Sequence, residues 1–210
     1  MTLTHRTFKL QYKCIHYTSA WEQRKLGELF TESDERSSEM EILSVSVANG
    51  IYPASESNKE TNPGASLASY KVVRKGDVVY NSMRMWQGAV DSSLYEGIVS
   101  PAYVVSRPSA EAQPRFFARL LRRPVMLKQY QRASQGNSKD TQILKFEEFA
   151  DLKVPVPVSS EQVVIAALFD RLDSLITLHQ RKQLAMDLGW SALLDWLNHG
   201  ILHRRKHMSA

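Results

Sequence analysis

Residues 81–90 read NSMRMWQGAV, and four of these side chains carry chemistry that can read a base pair. Asn81 and Gln87 each hold a donor and an acceptor side by side, the pattern that pairs with adenine N6 and N7. Arg84 has the forked guanidinium that fits guanine O6 and N7, and Trp86 has a flat face that stacks or wedges. The same residues admit a plainer reading, in which Met83, Met85 and Trp86 pack in a core and only Arg84 and Gln87 meet water. A second polar segment, SQGNSKDTQ, holds Ser134, Asn137, Ser138 and Lys139, which suit phosphate contact or an ordinary surface turn. A third candidate is the stretch with Tyr52, Ser55, Asn58 and Lys59. Arg74 and Lys75 sit at a turn, where solvent and phosphate are equally good partners.

Signals of catalysis are few. No GxGxxG or GxxxxGK[ST] occurs, so nothing cradles a nucleotide. The one Asn-Pro step, Asn62-Pro63-Gly64, lacks the aromatic residue of an amino-methyltransferase tetrapeptide. The acids do not gather with a lysine after a strand in the manner of a nuclease. His199, His203 and His207 fall at i, i+4 and i+8, a metal-ligand spacing, but Arg204, Arg205 and Lys206 lie among them and point to a solvated basic tail. Cys14 is the single cysteine, which excludes an internal disulfide and a four-cysteine zinc site. We expect no cofactor, no metal and no catalysis in this chain.

Charge locates a partner more sharply than it does in total. The net charge of +5 on 210 residues is modest. Within residues 114–145, however, Arg115, Arg119, Arg122, Arg123, Lys128, Arg132, Lys139 and Lys145 face Asp140 alone, whereas residues 31–41 hold five acids and only Arg36. A basic run of this kind is the footprint of a phosphate-backbone binder, or else a solvated helix face. With 43% hydrophobic and 23% charged residues the chain reads as soluble and globular. No apolar run approaches the roughly 20 residues of a membrane span, and MTLTHRTFKLQYKC lacks a signal-peptide core, so a cytoplasmic location is expected.

The elements that must position these side chains are legible in outline. Residues 1–20 read as a loosely attached leader. WEQRKLGELF is a short anchoring element and TESDERSSE a loop, while EILSVSVANG alternates as a strand up to the Asn49-Gly50 turn. IYPASESNKETNPGAS, with two prolines, reads as a long loop. Residues 70–73 and 77–81 read as strands joined by the turn at 74–76, and 98–105 as another strand with Pro101 at an edge or bulge. PRFFARLLRRPVMLKQYQRAS reads as two helical pieces divided at Pro124, LKFEEFADL as a short helix and LKVPVPV as an extended segment barred from interior pairing by its prolines. The fold class is thus α+β, a compact mixed domain over 21–158 followed by one long helix.

That helix, over 159–198, opens with Ser159 and Gln162 in a capping-box spacing, and a basic tail over 199–210 follows it. With Ile165 as an a position, Leu168, Leu172, Leu175, His179, Lys182, Met186, Gly189, Leu193 and Trp196 follow in alternating steps of three and four. This is a coiled-coil seam with a polar interruption at His179 and Lys182 that can set register. Roughly 37 helical residues rise about 55 Å, against a radius of gyration near 14 Å for a domain of about 140 residues. The seam therefore calls for a partner helix from a second copy or another subunit, unless the helix breaks at Gly189 and folds back.

Together, WEQRKLGEL, YKVVRKGDVVYNSMRMWQGAV, GIVSPAYVV and VPVPVSSEQVVIAALFDRLDSLITLHQRK, in this order, resemble the specificity (S) subunit of type I restriction–modification systems. The resemblance implies a non-catalytic, sequence-specific reader of double-stranded DNA. It implies docking to a methyltransferase (M) subunit and work alongside a motor-nuclease (R) subunit. Such subunits alternate two recognition domains with two antiparallel spacer helices. This chain has one of each and no internal repeat, so it resembles half of one. The expected arrangement is a homodimer through the C-terminal helix on a bipartite target, or pairing with a different S polypeptide. The rival reading is a coiled-coil assembly or regulatory protein that pairs with or blocks a full-length S subunit.

Overall fold

The computed structural model describes residues 21–57, 66–134 and 143–207, with the side chains of the last segment described through Leu184 and at Met186. The expected leader over 1–20 lies outside the described residues. The strands are β1 (Glu22–Lys25), β2 (Phe30–Glu32), β3 (Leu43–Ser46), β4 (Gly50–Pro53), β5 (Lys71–Val73), β6 (Val78–Asn81), β7 (Val90–Ser92), β8 (Gly97–Val99), β9 (Tyr103–Pro108) and β10 (Lys153–Val156). The helices are α1 (Pro114–Leu121), α2 (Pro124–Ala133), α3 (Phe146–Ala150) and α4 (Ser159–His207). One compact unit ends at Gln162 and a second begins at Val163.

At the centre of the first unit lies a four-stranded antiparallel sheet in the order β2-β9-β6-β7. Side chains alternate across a strand, so Val78 and Tyr80 of β6 share one face and Val79 takes the other. Val79 pairs with Val105 and joins Leu43, Val45, Ile51, Val73 and Val99 in a core built with β3, β4, β5 and β8. On the opposite face Tyr80 lies 5.1 Å from the Phe149 ring of α3, and Phe30 lies 5.1 Å from Phe117 of α1. Because both faces are buried, β6 reads as a nearly continuous apolar run, unlike the clean alternation of a half-exposed strand.

The helices begin and end for local reasons. Gln113 accepts a hydrogen bond from the Phe116 amide and Pro114 opens α1, while Pro124 cannot continue that helix and opens α2 instead. The expected division at Pro124 is therefore what forms. β10 pairs with β1 in a two-stranded sheet, so its one proline, Pro155, lies on an edge strand.

Three local expectations are corrected. The stretch after Asn49 is not loop from its start: Gly50–Pro53 forms β4, hairpinned onto β3, because Gly50 takes a φ of 64° and Ile51 is buried opposite Val45. Pro101 lies in a turn between β8 and β9, which belong to different sheets, and marks neither an edge nor a bulge. β5 and β6 form as expected on either side of the turn at 74–76, and they lie in different sheets because β5 pairs with β8. The capping box at Ser159 does not form. Ser159 is already helical, and the Gln162 side chain is buried, donating to the carbonyls of Glu111 and Pro157 and accepting from the Gln113 amide. Three neighbouring backbone groups outcompete the helix end for that amide.

Burial of two tyrosines sets an alkaline limit. Tyr80 and Tyr130 are fully buried, and desolvation raises both phenols well above the ordinary value of 10.0. Above about pH 10 the unfolded chain loses these protons while the folded chain keeps them, so the unfolded state binds fewer protons and stability falls as pH rises. Denaturant melts are expected to show stability level up to about pH 9.5, then dropping by about 1.4 kcal/mol per pH unit for each tyrosine. Substituting Tyr130→Phe should remove about half of that slope.

Candidate nucleic-acid interface

The loop of residues 81–88 leaves the sheet at β6 and returns at β7. Its base is closed by the Asn81 amide donating to the Ala89 carbonyl (3.0 Å), and Met85, fully buried, roots a 3-10 turn over Met85–Gln87. Gly88 adopts a φ of 90°, a conformation that favours glycine, to turn the chain back. Ser82 fixes the outward limb: its amide and hydroxyl both donate to the Ala102 carbonyl, and its own carbonyl accepts from the Leu144 amide at 3.0 Å.

Within this frame the four expected base readers separate into two pairs. Arg84 and Gln87 are exposed, as a reader must be. Asn81 and Trp86 are half-buried and engaged: Asn81 Oδ1 accepts from the Met83 amide (3.0 Å), and Trp86 Nε1 donates to the Met83 carbonyl (3.1 Å). Met83, assigned to the core in the plainer sequence reading, is 47% exposed. An Asn two residues ahead of the amide it binds is an Asx-turn signal, which the sequence Asn-Ser-Met carried.

Arg122, counted in sequence with the phosphate-binding run, has another task. Its Nη2 donates to the Val47 carbonyl (2.7 Å) and its Nε to the Gly88 carbonyl (3.5 Å), while Nη1 lies 3.9 Å from Asp91 Oδ2. Gly50 sits so close to the Asp91 carboxylate that a Cβ there would collide with it. One guanidinium thus joins the β3–β4 turn, the 81–88 loop and the corner between α1 and α2. We expect Arg122→Gln to lower stability by about 1–2 kcal/mol in urea melts, since one charged fork serves several acceptors. Arg122→Lys should recover less than half, because an ammonium cannot span two carbonyls in one plane.

Exposed cations near this junction include Arg84, Arg123, Lys128 and Arg132, the last three at or on α2, which packs against the 3-10 turn. At the opposite edge of the four-stranded sheet, next to β2, the acidic residues are matched by bases. Glu32 and Asp34 flank Lys71 Nζ at 3.1 and 3.4 Å, Glu35 holds Arg74 at 2.8 Å, and Arg107 lies 3.4 Å from Asp77. Arg74 is therefore tied to a carboxylate.

The other sequence candidates are dispersed. Tyr52 is half-buried on β4, paired with Ser44, so it belongs to a strand. Ser134 closes α2 with its amide and hydroxyl both donating to the Tyr130 carbonyl. Lys59, Asn137, Ser138 and Lys139 lie outside the described residues. On α4, Leu168, Leu172, Leu175, His179 and Met186 are exposed and Ile165 is half-buried. Leu193 and Trp196 lie on the helical backbone, beyond the described side chains. Gly189, the position of the alternative fold-back, also lies beyond the described side chains. No described helix is long and apolar enough to cross a membrane.

Comparison with known proteins bears on this arrangement. The family model described as type I restriction modification DNA specificity domain matches residues 18–186. A search of curated proteins finds no match. Among solved structures, a chain from work on complex assembly and conformational transition of the type I R-M system is 16% identical with a TM-score of 0.57, covering 81% of this chain and 47% of that one. The HsdS subunit from Thermoanaerobacter tengcongensis is 14% identical with a TM-score of 0.51, covering 82% of this chain and 42% of its own. A type I S subunit from M. genitalium is 14% identical with a TM-score of 0.51, covering 76% and 41%. At these identities the likeness is one of fold, and this chain spans less than half the length of each.

Proposed function

The chain belongs to the family of type I restriction modification DNA specificity domains, and we propose that it is the sequence-reading, non-catalytic subunit of such a system. It reads one half of a bipartite DNA target, docks a separate methyltransferase subunit, and with a motor-nuclease subunit directs restriction. One observation carries this reading: the 81–88 loop, the β3–β4 turn and the α1–α2 corner converge through Arg122 where Arg84, Gln87, Arg123 and Lys128 are exposed. Phosphate contacts from the cations set position, and the loop supplies base contacts.

Pairing through α4 completes the proposal. Leu168, Leu172 and Leu175 are 42–62% exposed along the seam, and Phe169 and Ile176 widen the stripe beyond a strict two-position seam. An apolar stripe this broad is stabilised when another helix covers it. A two-fold pair running antiparallel would set two recognition domains on a palindromic bipartite site, with His179 and Lys182 near its centre fixing register and thus the gap between half-sites.

The test is selection from a random-sequence duplex pool by the purified chain, alone and with its methyltransferase subunit, at moderate salt, where nonspecific phosphate binding is weak. A defined recovered motif is expected, together with loss of the matching methylated sites from a host lacking the gene. No sequence preference in either preparation would sink the proposal.

A further inference from the structure

We infer that Met83 is itself a base-reading residue that contacts a thymine C5-methyl group, and that Asn81 and Trp86 are positioning residues which hold it; the inference rests on the DNA-reading function proposed above. Met83 projects from the 81–88 loop beside Arg84, and its 47% exposure is unusual for a methionine in a loop whose other methionine, Met85, is fully buried. Both of its peptide groups are pinned by side chains. Asn81 Oδ1 holds the amide at 3.0 Å and Trp86 Nε1 holds the carbonyl at 3.1 Å. Ser82, just before it, is fastened on the far side through Ala102 and Leu144. A backbone fixed this thoroughly loses little entropy on binding, so the ordering cost of the contact is confined to the Met83 side chain.

The surroundings select the surface. Arg84, Arg123 and Lys128 are exposed in the same region, which suits a polyanion and disfavours an apolar protein groove. The apolar feature that a DNA major groove offers is the thymine methyl group, which distinguishes A·T from the other pairs. The roles within the loop therefore differ from a scheme in which Asn81 pairs with adenine and Trp86 stacks. Arg84 and Gln87 supply polar contacts, Met83 the apolar one, and Asn81 and Trp86 hold the backbone that presents them.

The experiment uses the full chain and the duplex recovered by the selection above, with each thymine replaced in turn by uracil, which removes the methyl group alone. Wild-type protein is expected to bind one uracil-substituted duplex about tenfold more weakly, within the usual range for a lost base contact. Met83→Ala should bind the thymine and uracil duplexes equally. Asn81→Ser, whose hydroxyl can still accept from the amide two residues on, should keep most of the thymine preference, while Asn81→Ala and Trp86→Phe should lose it with unchanged thermal unfolding. The inference is overturned by a target without thymine, by a uracil penalty that persists in Met83→Ala, or by Met83→Ala weakening binding with no uracil effect in wild type, the mark of a wedge between bases. It is also overturned by Asn81→Ser behaving like Asn81→Ala, since direct pairing of the amide with adenine would do that. A wild-type chain that selects no motif at all instead removes the DNA-reading proposal beneath it.

Discussion

A chain carrying Leu172→Asp together with Leu175→Asp is expected to sediment as a monomer at concentrations where wild type is a dimer, with the thermal unfolding of its α+β unit unchanged. Both leucines are exposed in the chain itself, so the substitutions remove nothing from its core. Aspartate lowers helix propensity by less than about 1 kcal/mol per residue, which a helix of this length tolerates. In a two-fold pair the cost is of another order. Four carboxylates would enter an apolar seam, each with an effective desolvation penalty of several kcal/mol and no arranged counter-charge. Association should weaken by a factor of at least about 1,000, since 1.4 kcal/mol is already tenfold. Sedimentation velocity over a concentration series checks this. A wild type that is monomeric throughout assigns the seam to a different partner helix, and the same double variant should then fail to join the methyltransferase complex.

Replacing Phe149 by alanine is expected to be the most damaging single truncation in the first unit. Phe149 is fully buried, with the rings of Tyr80 at 5.1 Å, Phe146 at 6.0 Å and Phe30 at 6.1 Å. Its helix, α3, has only five residues and is too short to persist alone, so this ring is what holds it to the sheet. Lost contact and the cavity left behind cost about 3–5 kcal/mol in comparable truncations. Set against a typical total of 5–15 kcal/mol, that should lower the melting temperature by roughly 10 °C. Phe149→Leu, which keeps most of the volume, should lose less than half as much. Under the proposed DNA-reading function, selectivity should suffer along with stability, because α3 follows directly on the Leu144 amide that fixes Ser82 of the 81–88 loop. A calorimetric shift under about 2 °C for Phe149→Ala would show that the aromatic layer closes over the gap.

Some of this could be read from residue order, and the reasons differ by element. The α1–α2 break was legible because a proline acts on its own backbone wherever it occurs. The turn at Asn49-Gly50 and the edge position of β10 follow from the same kind of local rule. The β4 hairpin was missed because Gly50 and Pro53 resemble loop residues, and only the buried positions of Ile51 and Pro53 against β3 make a strand of the segment. The divergence of β5 from β6, and of β8 from β9, has no local signature, since strand partnership is a non-local choice.

The candidate site divides along the same line. Segment 81–90 identified itself by composition, as did the basic run over 114–145, because amide, guanidinium and charge are properties of residue types. Which of those groups face outward was decided by tertiary contact. Asn81 and Trp86 turn their polar atoms onto the Met83 peptide, Arg122 bonds two carbonyls from distant segments, and Gln162 abandons a helix cap for three backbone partners. The sequence by itself determined the family, the α+β class, the long apolar-striped helix and the location of positive charge, all of which depend on near neighbours or on sums. Only the tertiary structure decided which of the candidate side chains remain exposed to a partner, because a hydrogen-bonding group goes to the nearest unpaired acceptor or donor, and the fold alone brings those within reach.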